Sequence, residues 1–194
     1  EGTTFLLGSE IVTLRAEKAL FDLAAWCREH PALADYLRQT PASQVAQTLT
    51  QSQPPANLTL EDWAAWQAQF QAYLREHGQG TYDLDFANPV PAEKPAALLE
   101  TIKMYLQGSG SDPYARQQAA LERRKQATEA ILARLHWPLK NWFKRLLRWA
   151  QDAAPGREDS LADLGLGHPL IRRYLNELGR RLAEGGAIPD VQSI

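Results

Sequence analysis

The sequence predicts an all-α protein: an irregular multi-helix bundle with one extended, proline-rich segment near residues 81–91. Three observations carry this. Apolar side chains recur at three- and four-residue spacing through most of the chain, as an amphipathic helix requires. Helix start signals (Thr59 with Asp62, Asp112 with Pro113) and stop signals (His77-Gly78, Gly108 to Ser111) fall at its ends. Only one run alternates like a strand, and no second run exists to pair with it. With 194 residues, 44% hydrophobic and 9% aromatic, the chain can bury a real core.

In chain order, Thr13 is placed to cap a helix to about Glu29, with Leu14, Phe21, Ala24 and Ala25 at helical spacing and Pro31 as its stop. Pro41 opens a short helix through Val45 and Leu49, and Gln51 to Asn57, with consecutive prolines, is a loop. Thr59 and Asp62 approximate a capping box before a helix that holds Trp63, Trp66, Phe70, Tyr73 and Leu74. Thr81 to Phe86 alternates, but Asn88-Pro89 and Pro91 interrupt it, so an ordered extended segment is expected. From Pro95 a helix carries Leu98, Leu99, Ile102, Tyr105 and Leu106. The longest helix starts at Pro113 and runs to about Leu135, with Tyr114, Leu121, Thr128 and Leu135 every seventh residue, as in an antiparallel bundle. The helix Leu139 to Ala150 is expected to turn Trp142, Phe143, Leu146, Leu147 and Ala150 inward, Lys140, Lys144, Arg145 and Arg148 outward, and to close at Pro155-Gly156. A last helix, about Pro169 to Glu184, repeats that design with Ile171, Tyr174, Leu175, Leu178 and Leu182 inward and four arginines outward.

Charge divides the chain unevenly. Residues 1 to 100 hold six Lys/Arg against thirteen Asp/Glu, and residues 101 to 194 hold fifteen against ten, within a formal net charge of -2. Mutual attraction of the two halves is the simpler reading of that asymmetry. The single cysteine, Cys27, excludes an intramolecular disulfide and fits a reducing, cytoplasmic setting and a buried small hydrophobe. No stretch reaches the roughly 18 apolar residues of a membrane span, and no signal peptide is evident. A glycine-rich phosphate loop is missing, and four histidines with one cysteine share no zinc-ligand spacing. His30, His77, His136 and His168 stand at helix boundaries, where capping explains them. The basic, aromatic run Lys140 to Trp149 could suit single-stranded nucleic acid, but its rings fall on the face expected to be buried.

Several runs together resemble the phosphoenolpyruvate-utilising enzymes: phosphoenolpyruvate synthase, pyruvate phosphate dikinase and rifampicin phosphotransferase. They are Phe70 to Gln79, then Tyr82 to Pro89, Glu93-Lys94-Pro95, Asp112-Pro113, Asn141-Trp142-Phe143, Ile171 to Leu182, and Asp190-Val191. The resemblance covers about residues 60–194 and is weak before that. Where many relatives have histidine and arginine after the glycine, this chain has Gln79-Gly80.

The resemblance implies a three-part kinase-like enzyme: an ATP-grasp domain, a phosphohistidine domain, and between them a helical linker or acceptor-binding region, to which this chain corresponds. On that basis it is expected to be a non-catalytic fragment of one helical domain, 1–194, with 1–57 and 58–194 as candidate subdomains. ATP and Mg would belong to the parent enzyme, and the flanking domains would be its partners. Trp63, Trp66, Phe70, Gln79 and Tyr82 are the candidate acceptor-binding residues; no residue is expected to be catalytic or to ligate a metal. The rival reading is a free-standing helical adaptor for a protein or, less favoured, a nucleic acid.

Overall fold

The computed structural model describes residues 2–80 and 85–190. They form eight α-helices and no strand: α1 Val12–Arg28, α2 Pro31–Gln39, α3 Ala42–Thr48, α4 Leu60–His77, α5 Ala96–Leu106, α6 Pro113–Arg134, α7 Leu139–Leu164 and α8 His168–Glu184. The all-α class is therefore as the periodicity predicts. No helix of the described residues is long and apolar enough to cross a membrane.

Local chemistry sets the helix ends. The Thr59 hydroxyl accepts from the Asp62 amide at 3.0 Å and donates to the Asp62 carboxylate at 2.8 Å, which closes the start of α4. Asp112 accepts from the Tyr114 amide at 2.8 Å at the start of α6, where Pro113 occupies the first helical position and needs no donor. Pro31 has the same role in α2. It stops α1, as expected, but also opens a nine-residue helix that the reading of Pro31 as a terminator alone overlooked. Helix α1 begins at Val12 without a local side-chain cap; the carboxylate of Asp159, far along the chain on α7, accepts the Val12 amide at 3.2 Å.

One buried apolar cluster runs from Leu20 to Leu106 and draws on α1 to α5. Leu23 and Cys27 of α1 meet Leu33 and Leu37 of α2, Val45 of α3, Trp63, Trp66 and Phe70 of α4, and Ile102 and Tyr105 of α5. Aromatic rings run down α4 in register: Trp66 stacks on Phe70 at 5.2 Å, Phe70 on Tyr73 at 6.4 Å, and Tyr73 tilts against His77 at 5.1 Å. Arg28 donates to the Tyr105 carbonyl at 2.7 Å and Arg38 to the Leu106 carbonyl at 3.3 Å, so two cations close the C-terminus of α5.

The second half lies outside that cluster. The N-terminal segment before α1 is wedged between α6 and α7: Gln151 donates to the Phe5 carbonyl at 3.1 Å, Gln117 to the Gly8 carbonyl at 3.0 Å, and Phe5 meets Phe143 edge to face at 6.0 Å. Ion pairs join the acidic and basic halves, Glu17 with Arg116 and Glu93 with Arg172, the latter at 2.7 Å. Three expectations need correction here. Helix α7 does not close at Pro155-Gly156 but continues to Leu164, because tertiary contacts of Asp159 with Val12 and Arg15 hold its second part in place. On α7, Trp142 and Leu146 point to solvent instead of inward; on α8, so do Ile171, Tyr174 and Leu178. The described part of the proline-rich segment, 85–91, has turns at 86–87 and 91, with the Asp85 carboxylate accepting the Ala87 amide at 2.9 Å. Thr81, Tyr82, Asp83 and Leu84, on which the alternation rests, lie outside the described residues.

Candidate functional site

The proposed acceptor-binding residues are not gathered at one surface. Trp63, Trp66 and Phe70 are 0% exposed, inside the core. Trp63 donates to the Gln51 carbonyl at 3.3 Å and stands edge-on to Tyr36 at 6.0 Å; the Trp66 indole nitrogen has no hydrogen-bond partner among the described residues. Gln79 is on the surface just past α4, and Tyr82 lies outside the described residues.

The titratable groups that spacing singled out are tied into structure. His30 shares a 2.9 Å hydrogen bond with Asp62, and the Thr59 hydroxyl, then His30, hold the Asp62 carboxyl below its usual range. Burial pushes the Cys27 thiol up to about 12, so at neutral pH it carries no thiolate nucleophile. His168, the first residue of α8, is buried against Phe86 with ring centroids 4.6 Å apart; beside it Arg172 donates to the Phe86 carbonyl. Neither ring nitrogen of His168 has a partner among the described residues. Among the described residues no group of three or more His, Cys, Asp or Glu side chains could hold a metal ion.

Two open grooves mark the surface. One, of about 330 Å3, lies between α1 and α4 over Trp26 and Tyr73, with Asp22, Glu76 and His77 on its rim. Asp22 is already engaged: the Tyr114 hydroxyl donates to it at 2.7 Å, which with burial raises Tyr114 to about 12. The other, of about 420 Å3, separates α6 from α7 between Leu121 and Leu147.

The most distinctive surface is apolar. Leu139, Trp142, Leu146 and Trp149 of α7 are exposed, Trp142 at 72% and Trp149 at 69%. Trp137, just before the helix, is exposed as well. Helix α8 repeats the pattern with Leu170, Ile171, Tyr174 and Leu178, Tyr174 at 69%. Soluble proteins seldom leave such a concentration of large apolar side chains in water without a partner. Hydrophobic periodicity finds these stripes but does not say what covers them. The signal that could have marked them is the width of the apolar arc on α7, about 160° at 100° per residue, more than one neighbouring surface fills.

The described family of the rifampicin phosphotransferase fourth domain matches residues 3–158. The chain belongs to that family. The match takes in the N-terminal part, where the resemblance read from the motifs was weak, and ends before α8. The chain is also similar to chondramide synthase cmdD of Chondromyces crocatus, at 28% identity over 97% of this chain. It spans only 5% of the length of that relative. Membership brings a helical domain of a phosphoenolpyruvate-utilising enzyme family, in agreement with the eight helices.

Proposed function

We propose that this domain is a non-catalytic scaffold within a multidomain, ATP-dependent phosphotransferase chain of the phosphoenolpyruvate synthase type, where it holds neighbouring domains in relation to one another. The observation that carries this is the half-covered apolar arcs of α7 and α8 in a member of a family described as the fourth domain of such an enzyme. A domain whose helices offer apolar stripes to solvent is suited to docking other domains. Supporting it, the cysteine is enclosed, and His30 is paired with Asp62 at the capped start of α4, a structural position.

ATP and magnesium belong, on this reading, to neighbouring domains, along with the phosphohistidine that would pass the phosphoryl group on. The residues of this domain do not fit that pair, since their described acidic groups form no metal-holding cluster. The setting is cytoplasmic on the same proposal.

The test uses the purified 194-residue chain and the longer polypeptide that contains it. Phosphate release and phosphoryl transfer from ATP are expected from the longer polypeptide and not from the chain alone. Turnover by the chain alone, abolished by one point change within it, overturns the scaffold. A finer form of the proposal has the domain contribute to acceptor binding through Trp63, Trp66, Phe70, Gln79 and Tyr82. Because the first three rings are enclosed, an acceptor would reach them only if α4 moved. Equilibrium dialysis with rifampicin as the probe decides this: binding lost on Trp66→Leu in a folded variant supports it, and no binding removes it.

A further inference from the structure

We propose that the groove between α1 and α4 is a binding site for a small organic cation, an ammonium group carried on a short body with an apolar ring. The site is independent of the scaffold role proposed above, because it uses neither the exposed stripe of α7 nor that of α8.

Size and walls set the body of the ligand. The groove holds about 330 Å3, the lower end of the roughly 300–1,000 Å3 of small-molecule sites, so it suits one ring and a short chain. Half-buried Trp26 of α1 and buried Tyr73 of α4 bring aromatic surface to it, with Leu23 and Ala72 beside them. The faces of such rings carry negative partial charge and attract a cation held over them.

Charge sets the head. Two carboxylates, Asp22 and Glu76, line the groove, and among the described lining residues there is no lysine or arginine. Their own helices leave them uncompensated. Lys18, four residues before Asp22 and placed to pair with it, donates instead to Glu10 at 2.7 Å. No lysine or arginine stands three or four residues from Glu76 in either direction. Among the described residues Asp22 accepts from Tyr114 through Oδ2 alone, which leaves Oδ1 for a ligand. His77 approaches Glu76 only to 3.7 Å, and its ring leans on Tyr73. Around the groove, the first hundred residues hold six Lys/Arg against thirteen Asp/Glu, a surplus that draws cations toward this half of the chain.

Other ligand classes fit less well. Among the described residues Asp22, Glu76 and His77 do not form a group that could hold a metal ion, so the cation needs an apolar body that the rings can grip. A phosphate or nucleic acid would meet two like charges and no lysine or arginine.

The probe is phenethylammonium, compared with 2-phenylethanol and phenylacetate, which keep the ring and replace the cation by a neutral or an anionic head. The readout is the indole N–H resonances of the nitrogen-labelled 194-residue chain, in which the Trp26 signal is the one that Trp26→Phe removes. Phenethylammonium is expected to shift that signal saturably, with a Kd on the order of 1 mM. The signals of Trp137, Trp142 and Trp149 should stay in place. The two counterparts should bind about tenfold more weakly or worse. Glu76→Gln alters a side chain that is 78% exposed, so the fold should hold while binding weakens about threefold. Adding Asp22→Asn, whose amide oxygen can still accept from Tyr114, should bring the loss to about tenfold. Glu100→Gln, an exposed carboxyl on α5 outside the groove, is the control that leaves binding intact.

The site is overturned if the Trp26 signal shows no saturable shift, if 2-phenylethanol or phenylacetate binds as tightly as phenethylammonium, or if the folded double variant binds as tightly as the parent. Should the double variant fail to fold, Glu76→Gln decides alone, and unchanged affinity overturns the site. A lysine-centred pentapeptide that binds more tightly than phenethylammonium would assign the groove to a side chain of another domain and overturn the small-molecule reading. None of these results touches the scaffold, which stands or falls on phosphoryl transfer by the isolated chain.

Discussion

At the scale of single residues, position 8 is constrained both by backbone conformation and by space. Gly8 has φ +79°, and a Cβ placed there would stand 2.8 Å from the Leu121 side chain, at the point where the N-terminal segment crosses α6. Gly8→Ala should therefore cost roughly 1–3 kcal/mol, read as a lower urea midpoint with an unchanged m-value. Two buried or bonded protons make a second residue-scale prediction. Burial lifts the Cys27 thiol from 9.0 to about 12, and the hydrogen bond to Asp22 lifts the Tyr114 hydroxyl from 10.0 to about 12. Since both folded-state values lie above the unfolded ones, the stability they contribute is whole below pH 9.0 and is lost as pH rises toward 12. Urea midpoints should fall on the alkaline side over that window. Cys27→Ala should flatten the part of the fall that starts at pH 9.0, and Tyr114→Phe the part that starts at pH 10.0. The same burial predicts that Ellman's reagent reacts with Cys27 only after denaturation.

At the scale of elements, stability comes as much from helix ends tied across the fold as from propensity. Arg28 and Arg38 reach from α1 and α2 to the last carbonyls of α5. Arg28→Ala leaves the Tyr105 carbonyl without its charged donor and should cost about 1–3 kcal/mol in chemical unfolding, while Arg28→Lys should restore part of it. Elements set by short-range signals were legible in the sequence: Thr59 with Asp62 marks α4, Asp112-Pro113 marks α6, and His77-Gly78 marks the end of α4. Helix α2 was not, because Pro31 ends one helix and starts the next, and only the first role was assigned to it. The length of α7 was hidden for a different reason. Pro155 is a local stop signal, and its override depends on Asp159 meeting Val12 and Arg15, partners about 145 residues distant that no window of sequence connects. The candidate site was legible only in its composition. Periodicity found the aromatic stripes of α4 and α7 equally well, yet placed both inside, because it measures a helix's apolar face and not what lies opposite.

At the scale of the whole molecule, that difference divides the protein into an enclosed tier, α1 to α5, and an outer tier, α6 to α8, whose described side chains add nothing to the central cluster. The tryptophans report on the two tiers separately. Trp63 and Trp66 are wholly enclosed; Trp137, Trp142 and Trp149 are open to solvent. Acrylamide should therefore quench the emission in two classes, and Trp142→Phe with Trp149→Phe should remove most of the accessible class. Stability should divide the same way. Trp66→Ala empties a large volume of an interior that cannot collapse around it and should cost about 3–5 kcal/mol, enough to unfold a domain of marginal stability. Trp142→Ala removes a side chain that is already solvated in the free chain and should change stability by no more than about 0.5 kcal/mol. Urea unfolding of the two variants measures this contrast. An equal loss in both would mean that α7 is clamped into the folded core, and would leave the domain without a free surface for its neighbours. The predicted contrast means that the exposed stripe of α7, unlike the half-buried Phe143, Leu147 and Ala150 beside it, adds little to holding this domain together and is open to association.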